Sequence, residues 1–165
     1  RLLGLTEKTK IYQASTSELF GKAQEVPQSE TTPFYPRSPY GVAKLYAFWT
    51  TKNYREAYGM FACNGILFNH ESPRRSKEYV TKKIVTDVCS IYHGKKNFLY
   101  LGDIKAKIDW GYAKDYVEVA WKIMQQKKPD FYIIGSGKNV SVKKFAEECF
   151  KYLGLDFKKY LKVDK

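Results

Sequence analysis

The chain has 165 residues, 44% hydrophobic and 28% charged, a balance that excludes a disordered polymer and fits one domain or a piece of a larger protein. No stretch approaches the roughly 18 uncharged apolar residues of a membrane-spanning helix, and the opening RLLGLTEKTK has neither an initiator Met nor the apolar run of a secretory signal. The net charge of +12 comes from 29 Lys and Arg against 17 Asp and Glu; it permits polyanion binding without showing it.

Only five of those cations are Arg (Arg1, Arg37, Arg55, Arg74 and Arg75), whereas base readout leans heavily on Arg. The lysines are scattered singly and in pairs such as Lys82-Lys83. The expectation is solvated surface, with neither a nucleic-acid nor a membrane partner. Three cysteines, at 63, 89 and 149, are odd in number and lack metal-ligand spacing. That argues against a disulfide framework or a metal site and for a reducing, cytoplasmic compartment.

In chain order, IYQAS (11–15) is a short apolar run that predicts a strand. Residues 16–39 form a long irregular stretch holding four of the six prolines; structureless loops of this length are usually functional. Ser38-Pro39 predicts a helix start, and Gly59 its stop. Between them Val42, Leu45, Tyr46 and Trp49 recur at helical spacing. FACNGILFN (61–69) predicts a buried strand, 77–92 a helix ending at Gly94, and NFLYLG (97–102) a short strand. Residues 113–126 predict a helix with Val117, Ala120, Trp121 and Met124 on one face, and FYIIG (131–135) a strand. Ser141 caps a last helix closed by Gly154, and LDFKKYLKVDK trails off with no closing element. Strands alternating with helices predict an α/β fold with a mainly parallel sheet. No Gly-rich phosphate turn is present; Gly135 and Gly137 follow a strand but have the wrong spacing, and read as an ordinary turn.

The most specific local signal is Tyr40-x-x-x-Lys44 at a helix start. One turn separates the two, so the side chains lie one above the other. An ammonium near a phenol favours the phenolate, which can then act as a base. Alone, the pair is a weak signal that more often describes an exposed aromatic beside a surface lysine. Context adds weight. Ser15-Thr16-Ser17-Glu18 follows one strand directly and supplies hydroxyls and a carboxylate. Asn69-His70-Glu71-Ser72-Pro73-Arg74-Arg75 follows the next and supplies amide, imidazole and guanidinium donors suited to a phosphate or nucleotide. Catalytic groups in open α/β sheets gather at such strand ends.

The segments QASTSELFG, ETTPFYPRSPYGVAKLYAFW, NGILFNHESPRR and DWGYAKDYVEVAW resemble the GDP-mannose 4,6-dehydratases, a branch of the extended short-chain dehydrogenase/reductases that act on nucleotide sugars. The resemblance runs from about residue 9 to 153. It implies a partial Rossmann-like, doubly wound parallel sheet with part of a smaller substrate-binding region, all within one fragment of an NAD(P)-binding domain. It implies a carbon–oxygen lyase working by internal redox with NADP on GDP-mannose, in the pathway to GDP-fucose and related deoxyhexoses. Tyr40 would take the 4-hydroxyl proton, Thr16 would steady the forming ketone, and Lys44 would support Tyr40 and hold the nicotinamide ribose. Glu18 would remove the C5 proton and help water leave from C6. His70 and Arg75 would contact NADP, together with Tyr40 and Lys44, while Ser17 and Asn69 would lie against the substrate. A homo-oligomer paired partly through the helix after Ser38 is also implied.

The sequence departs from the family at Ile108, where an Arg is usual, and at Tyr112, where a His is usual. The family's Gly-rich NADP-binding half and its C-terminal end have no counterpart in these residues. The expectation is an internal fragment with an open sheet edge and exposed apolar surface, inactive by itself. Two other readings stay open: another nucleotide-sugar dehydratase or epimerase, and a basic binding module or inactive remnant.

Overall fold

The computed structural model describes residues 2–164, which divide into two compact units, one of residues 2–70 and Gly111–Ser136, the other of Glu71–Trp110 and 137–164. In the first unit, parallel strands β1 (Ile11–Thr16), β2 (Ala62–Leu67) and β6 (Phe131–Ile134) form a sheet in the order β1-β2-β6. Its register aligns Thr16 with Leu67 and Leu67 with Ile134, so the carboxyl ends of the strands lie level. Side chains alternate between faces with the period of two that a pleated strand dictates. Ile66, Phe131 and Ile133 join Leu19, Phe20 and Phe48 in one apolar cluster. Cys63, Leu67, Tyr132 and Ile134 join Tyr116 and Ile123 in another. A sheet buried on both faces explains why β2 reads as a largely apolar run, interrupted by the buried Asn64.

Helix α1 (Pro39–Tyr58) covers the first face, with Ser38 capping its start and Gly59, at φ 63°, ending it in the left-handed region. Helix α3 (Ala113–Met124) packs on β1 and β2 and supplies Tyr116 and Ile123 to the second cluster. Among the described residues β1 pairs on one side only. Val117 and Trp121 of α3 are 69% and 67% exposed, in keeping with the expected open edge and apolar surface.

The stretch 16–39 is more ordered than its prolines suggest. Ser17–Leu19 form a 3-10 turn. Beyond it the loop is tied by Tyr35 N–H to the Leu19 carbonyl and Lys22 N–H to the Tyr35 carbonyl, both 3.0 Å. Phe34 packs against Phe20 and Phe48, with ring centroids 5.4 and 5.0 Å apart.

In the second unit, helices α2 (Val80–Tyr92) and α4 (Val142–Tyr152) pack together over a core of Ile84, Val88, Ile91, Leu99, Ala146 and Phe150. The predicted strand 97–102 shortens to β4 (Leu99–Leu101), and the predicted strand 61–69 divides into β2 and a separate β3 (Asn69–Glu71). Four elements differ from expectation more sharply. Strands β5 (Lys107–Tyr112) and β7 (Asn139–Ser141) pair antiparallel, although neither stood out in the sequence. The tail does have closing elements: a short helix α5 (Phe157–Tyr160), capped by Asp156, and β8 (Leu161–Val163), paired parallel with β4. The last residue of that tail, Lys165, lies outside the described residues. Strands of three residues are fixed by their partners, not by their own periodicity. No helix among the described residues is long and apolar enough to cross a membrane.

Candidate active site

Three contacts bring the carboxyl end of β1 and the start of α1 together. Lys44 reaches back to β1, its Nζ donating to the Ala14 carbonyl at 2.9 Å. The Ser38 hydroxyl donates to Glu18 Oε2 at 2.6 Å. The third contact is backbone packing: a Cβ on Gly41 would fall 3.0 Å from the Glu18 carbonyl oxygen and 3.1 Å from Pro36 Cβ. Glycine next to Tyr40 therefore allows the helix to start this close to Glu18.

Within this frame Tyr40 is 52% exposed, and the Lys44 ammonium lies 5.6 Å from its ring centroid. The helical spacing thus places the pair as expected. One of the three Lys44 N–H groups goes to Ala14, and the other two have no partner among the described residues. Thr16 Oγ1 accepts the Glu18 N–H at 3.3 Å. Because an N–H can only donate, the Thr16 hydroxyl proton stays available for an oxygen outside the chain. Ser17 opens the 3-10 turn between these two residues.

Asn69 and His70 begin β3, beyond the carboxyl end of β2. His70 Nδ1 lies 2.9 Å from the Phe68 carbonyl, and the ring stacks on Tyr116 at 4.8 Å. A carbonyl only accepts, so Nδ1 carries the proton in this contact. Arg75 belongs to the second unit. There its Nε lies 3.3 Å from Glu71 Oε2, and its guanidinium lies 3.5 Å from the Tyr79 ring centroid, stacked as that planar group prefers. The turn at Gly137 offers no phosphate seat, because its N–H donates to the Asp109 carboxylate at 2.8 Å.

Two supporting residues are not visible to sequence reasoning as part of a site. Ser38 reads only as a helix cap, since its partner Glu18 lies 20 residues away. Asn64 is fully buried on β2; it accepts from the Ser15 hydroxyl at 3.0 Å and donates to the Phe48 carbonyl at 3.3 Å. It thereby ties β1, β2 and α1 together just ahead of Thr16. Nothing local in FACNGILFN distinguishes that asparagine from a turn former.

The sequence model of the GDP-mannose 4,6-dehydratase family matches residues 1–165, the whole chain. The chain belongs to that family. Similar proteins include the GDP-mannose 4,6-dehydratase of Dictyostelium discoideum, 59% identical over 158 residues, which are 96% of this chain and 44% of that protein. The human GDP-mannose 4,6-dehydratase is 57% identical over 151 residues, 92% of this chain and 41% of its own length. The chain thus spans less than half the length of these curated relatives. Among solved structures, Pseudomonas aeruginosa RMD complexed with NADPH matches with a TM-score of 0.87 at 20% identity, covering 93% of this chain and 52% of that one. The dTDP-glucose 4,6-dehydratase of Bacillus anthracis in complex with NAD matches with a TM-score of 0.82 at 22% identity, covering 94% and 50%. At such identities these two establish the fold, which is the expected partial Rossmann-like α/β arrangement.

The departures sit in ordinary structural places. Ile108 packs on the core of the second unit and pairs with Val140. Tyr112 ends β5, half-exposed, as the residue ahead of α3.

Proposed function

We propose that this chain carries the catalytic groups of an NADP-dependent GDP-mannose 4,6-dehydratase, as one fragment of that enzyme's NAD(P)-binding domain. The observation that supports the reading best is the joining of Thr16, at the end of β1, and Glu18, in the 3-10 turn after it, to Tyr40 and Lys44 on α1 through the Ser38–Glu18 and Lys44–Ala14 hydrogen bonds. The donors fit a nicotinamide ribose: Lys44 keeps two uncommitted N–H groups beside the exposed Tyr40 ring. NADP, when bound, would supply the hydride acceptor and donor of an internal redox cycle.

The chain's own residues handle the protons. Tyr40 takes the proton of the sugar 4-hydroxyl, with the Lys44 ammonium 5.6 Å from its ring centroid. Thr16 donates its hydroxyl proton to the same oxygen as it becomes a ketone. The 4-ketone acidifies C5. Glu18 removes the C5 proton and passes it to the departing C6 hydroxyl, which leaves as water. With a solvent proton added at C5, the proposed product is GDP-4-keto-6-deoxymannose. The sum is loss of one water with no net oxidation, which makes the enzyme a carbon–oxygen lyase. His70, Tyr40 and Lys44 would hold NADP, while Ser17 and Asn69 would face the substrate.

Two features bear on partners and location. The outward face of α1 carries Val42, Tyr46 and Trp49, 55%, 76% and 50% exposed, which suits a homo-oligomer paired through this helix. The three cysteines are unpaired and Cys89 is exposed, which fits a reducing, cytoplasmic setting. Another nucleotide-sugar dehydratase or epimerase would share Tyr40 and Lys44. The test is product analysis with GDP-mannose against UDP-glucose and dTDP-glucose. It uses a full-length protein in which this chain replaces the matching 158 residues of the Dictyostelium relative. Loss of water from GDP-mannose alone supports the reading; epimerisation, or dehydration of the other two only, overturns it.

A further inference from the structure

We infer that Ser38 is a positioning residue for Glu18, a role that rests on the dehydratase reading above. A hydroxyl has one proton and two lone pairs. The Gly41 N–H donates to Ser38 Oγ at 3.0 Å, so the oxygen accepts there and caps α1. Its proton goes to Glu18 Oε2 at 2.6 Å, a short bond of the charge-assisted kind. One side chain therefore fixes both the start of the helix that carries Tyr40 and the carboxylate that must reach C5.

The need for such a residue follows from Glu18 itself. Its backbone is held by Thr16 through the N–H and by the close packing of Gly41 on its carbonyl. Its side chain, by contrast, is solvent-exposed, with three rotatable bonds. Among the described residues Ser38 alone bonds that carboxylate. With Oε2 held, Oε1 remains free to take the C5 proton from a defined direction. An exposed carboxylate without that tether samples many orientations, and misplacement of a reacting group by about 1 Å can cost on the order of a hundredfold in rate.

The test separates tethering from capping. Asp caps a helix as well as Ser does, so S38D keeps the start of α1 but sets one carboxylate against another. S38T keeps both the cap and the hydroxyl proton. In the full-length Dictyostelium chimera, S38D is expected to lower kcat by about tenfold or more, with KM for GDP-mannose within about twofold. Reduced-nicotinamide absorbance should build up, because oxidation at C4 proceeds while elimination lags. S38T should restore turnover and remove that absorbance. An S38D enzyme that turns over like its parent, or loses only KM, overturns the inference. If the parent chimera itself makes no product, the dehydratase reading fails. The inference is then decided on the 165-residue chain by the carbon-13 resonance of the Glu18 side-chain carboxyl. That resonance should move in S38D and S38G and stay in S38T; an unmoved resonance in all three overturns it.

Discussion

Asn64→Ala tests the scaffold behind the site. The side chain is fully buried and holds two bonds, to Ser15 at 3.0 Å and to Phe48 at 3.3 Å. Each buried hydrogen bond contributes about 1 kcal/mol net, and a donor left orphaned costs roughly 1–3 kcal/mol more. The Ser15 hydroxyl, only 3% exposed, becomes that orphan. The expected loss is about 3 kcal/mol, or roughly 10 °C in Tm for a chain of this size. Urea unfolding followed by circular dichroism reads it. Ser15→Ala alone should cost about 1–2 kcal/mol, because it orphans the Asn64 oxygen. The double variant should cost about 1 kcal/mol less than the sum, because neither orphan then remains. Strict additivity, or a loss below about 1 kcal/mol for Asn64→Ala, would refute the reasoning from unsatisfied groups.

Gly21 has φ 48°, and a Cβ there would run into the Tyr35 backbone carbonyl. Gly21→Ala is therefore expected to cost about 2–4 kcal/mol by the same urea assay, and a neutral result would contradict that packing. Burial pushes the Cys149 thiol up to about 11, with Cys89 and Glu148 adding to the effect. Its thiolate fraction at pH 8 is then about a hundredfold below that of a thiol at the ordinary value of 9.0. Iodoacetamide should label Cys149 correspondingly slowly, with the rate rising about tenfold per pH unit until near 11; a rate that levels off near 9 would contradict the burial effect. Because the folded value lies above the unfolded one, ionisation also erodes stability as pH climbs from 9 toward 11, and leaves it unaffected below. The isolated 165-residue chain should neither bind NADP tightly nor form product, and measured turnover by it alone would contradict that expectation.

What was legible in the sequence follows the range of the interactions. The start and stop of α1, the Tyr40–Lys44 pair and the Ser141 cap obey rules that span four residues or fewer, and each stands where the sequence puts it. Strand β2 was legible because both its faces are covered, and β1 and β6 because they are short apolar runs bounded by polar residues. Strands β5, β7 and β8 were not, because a partner elsewhere in the chain, not their own pattern, holds them extended. The same distinction divides the site. Thr16, Glu18, Tyr40 and Lys44, the proposed site residues, are read from a strand end and from helical spacing. Asn64 and the second bond of Ser38 depend on partners 49 and 20 residues away, and no local pattern encodes those distances.

The most direct measurement of the central claim is turnover of GDP-mannose in heavy water by the Dictyostelium chimera, with and without Glu18→Gln. The parent should give a product lighter by one water and deuterated at C5. Glu18→Gln should leave the C5 proton in place and form little product while C4 oxidation continues. A Glu18→Gln enzyme that exchanges C5 and loses water at the parent rate would contradict the assignment of Glu18, and with it the reading of this site.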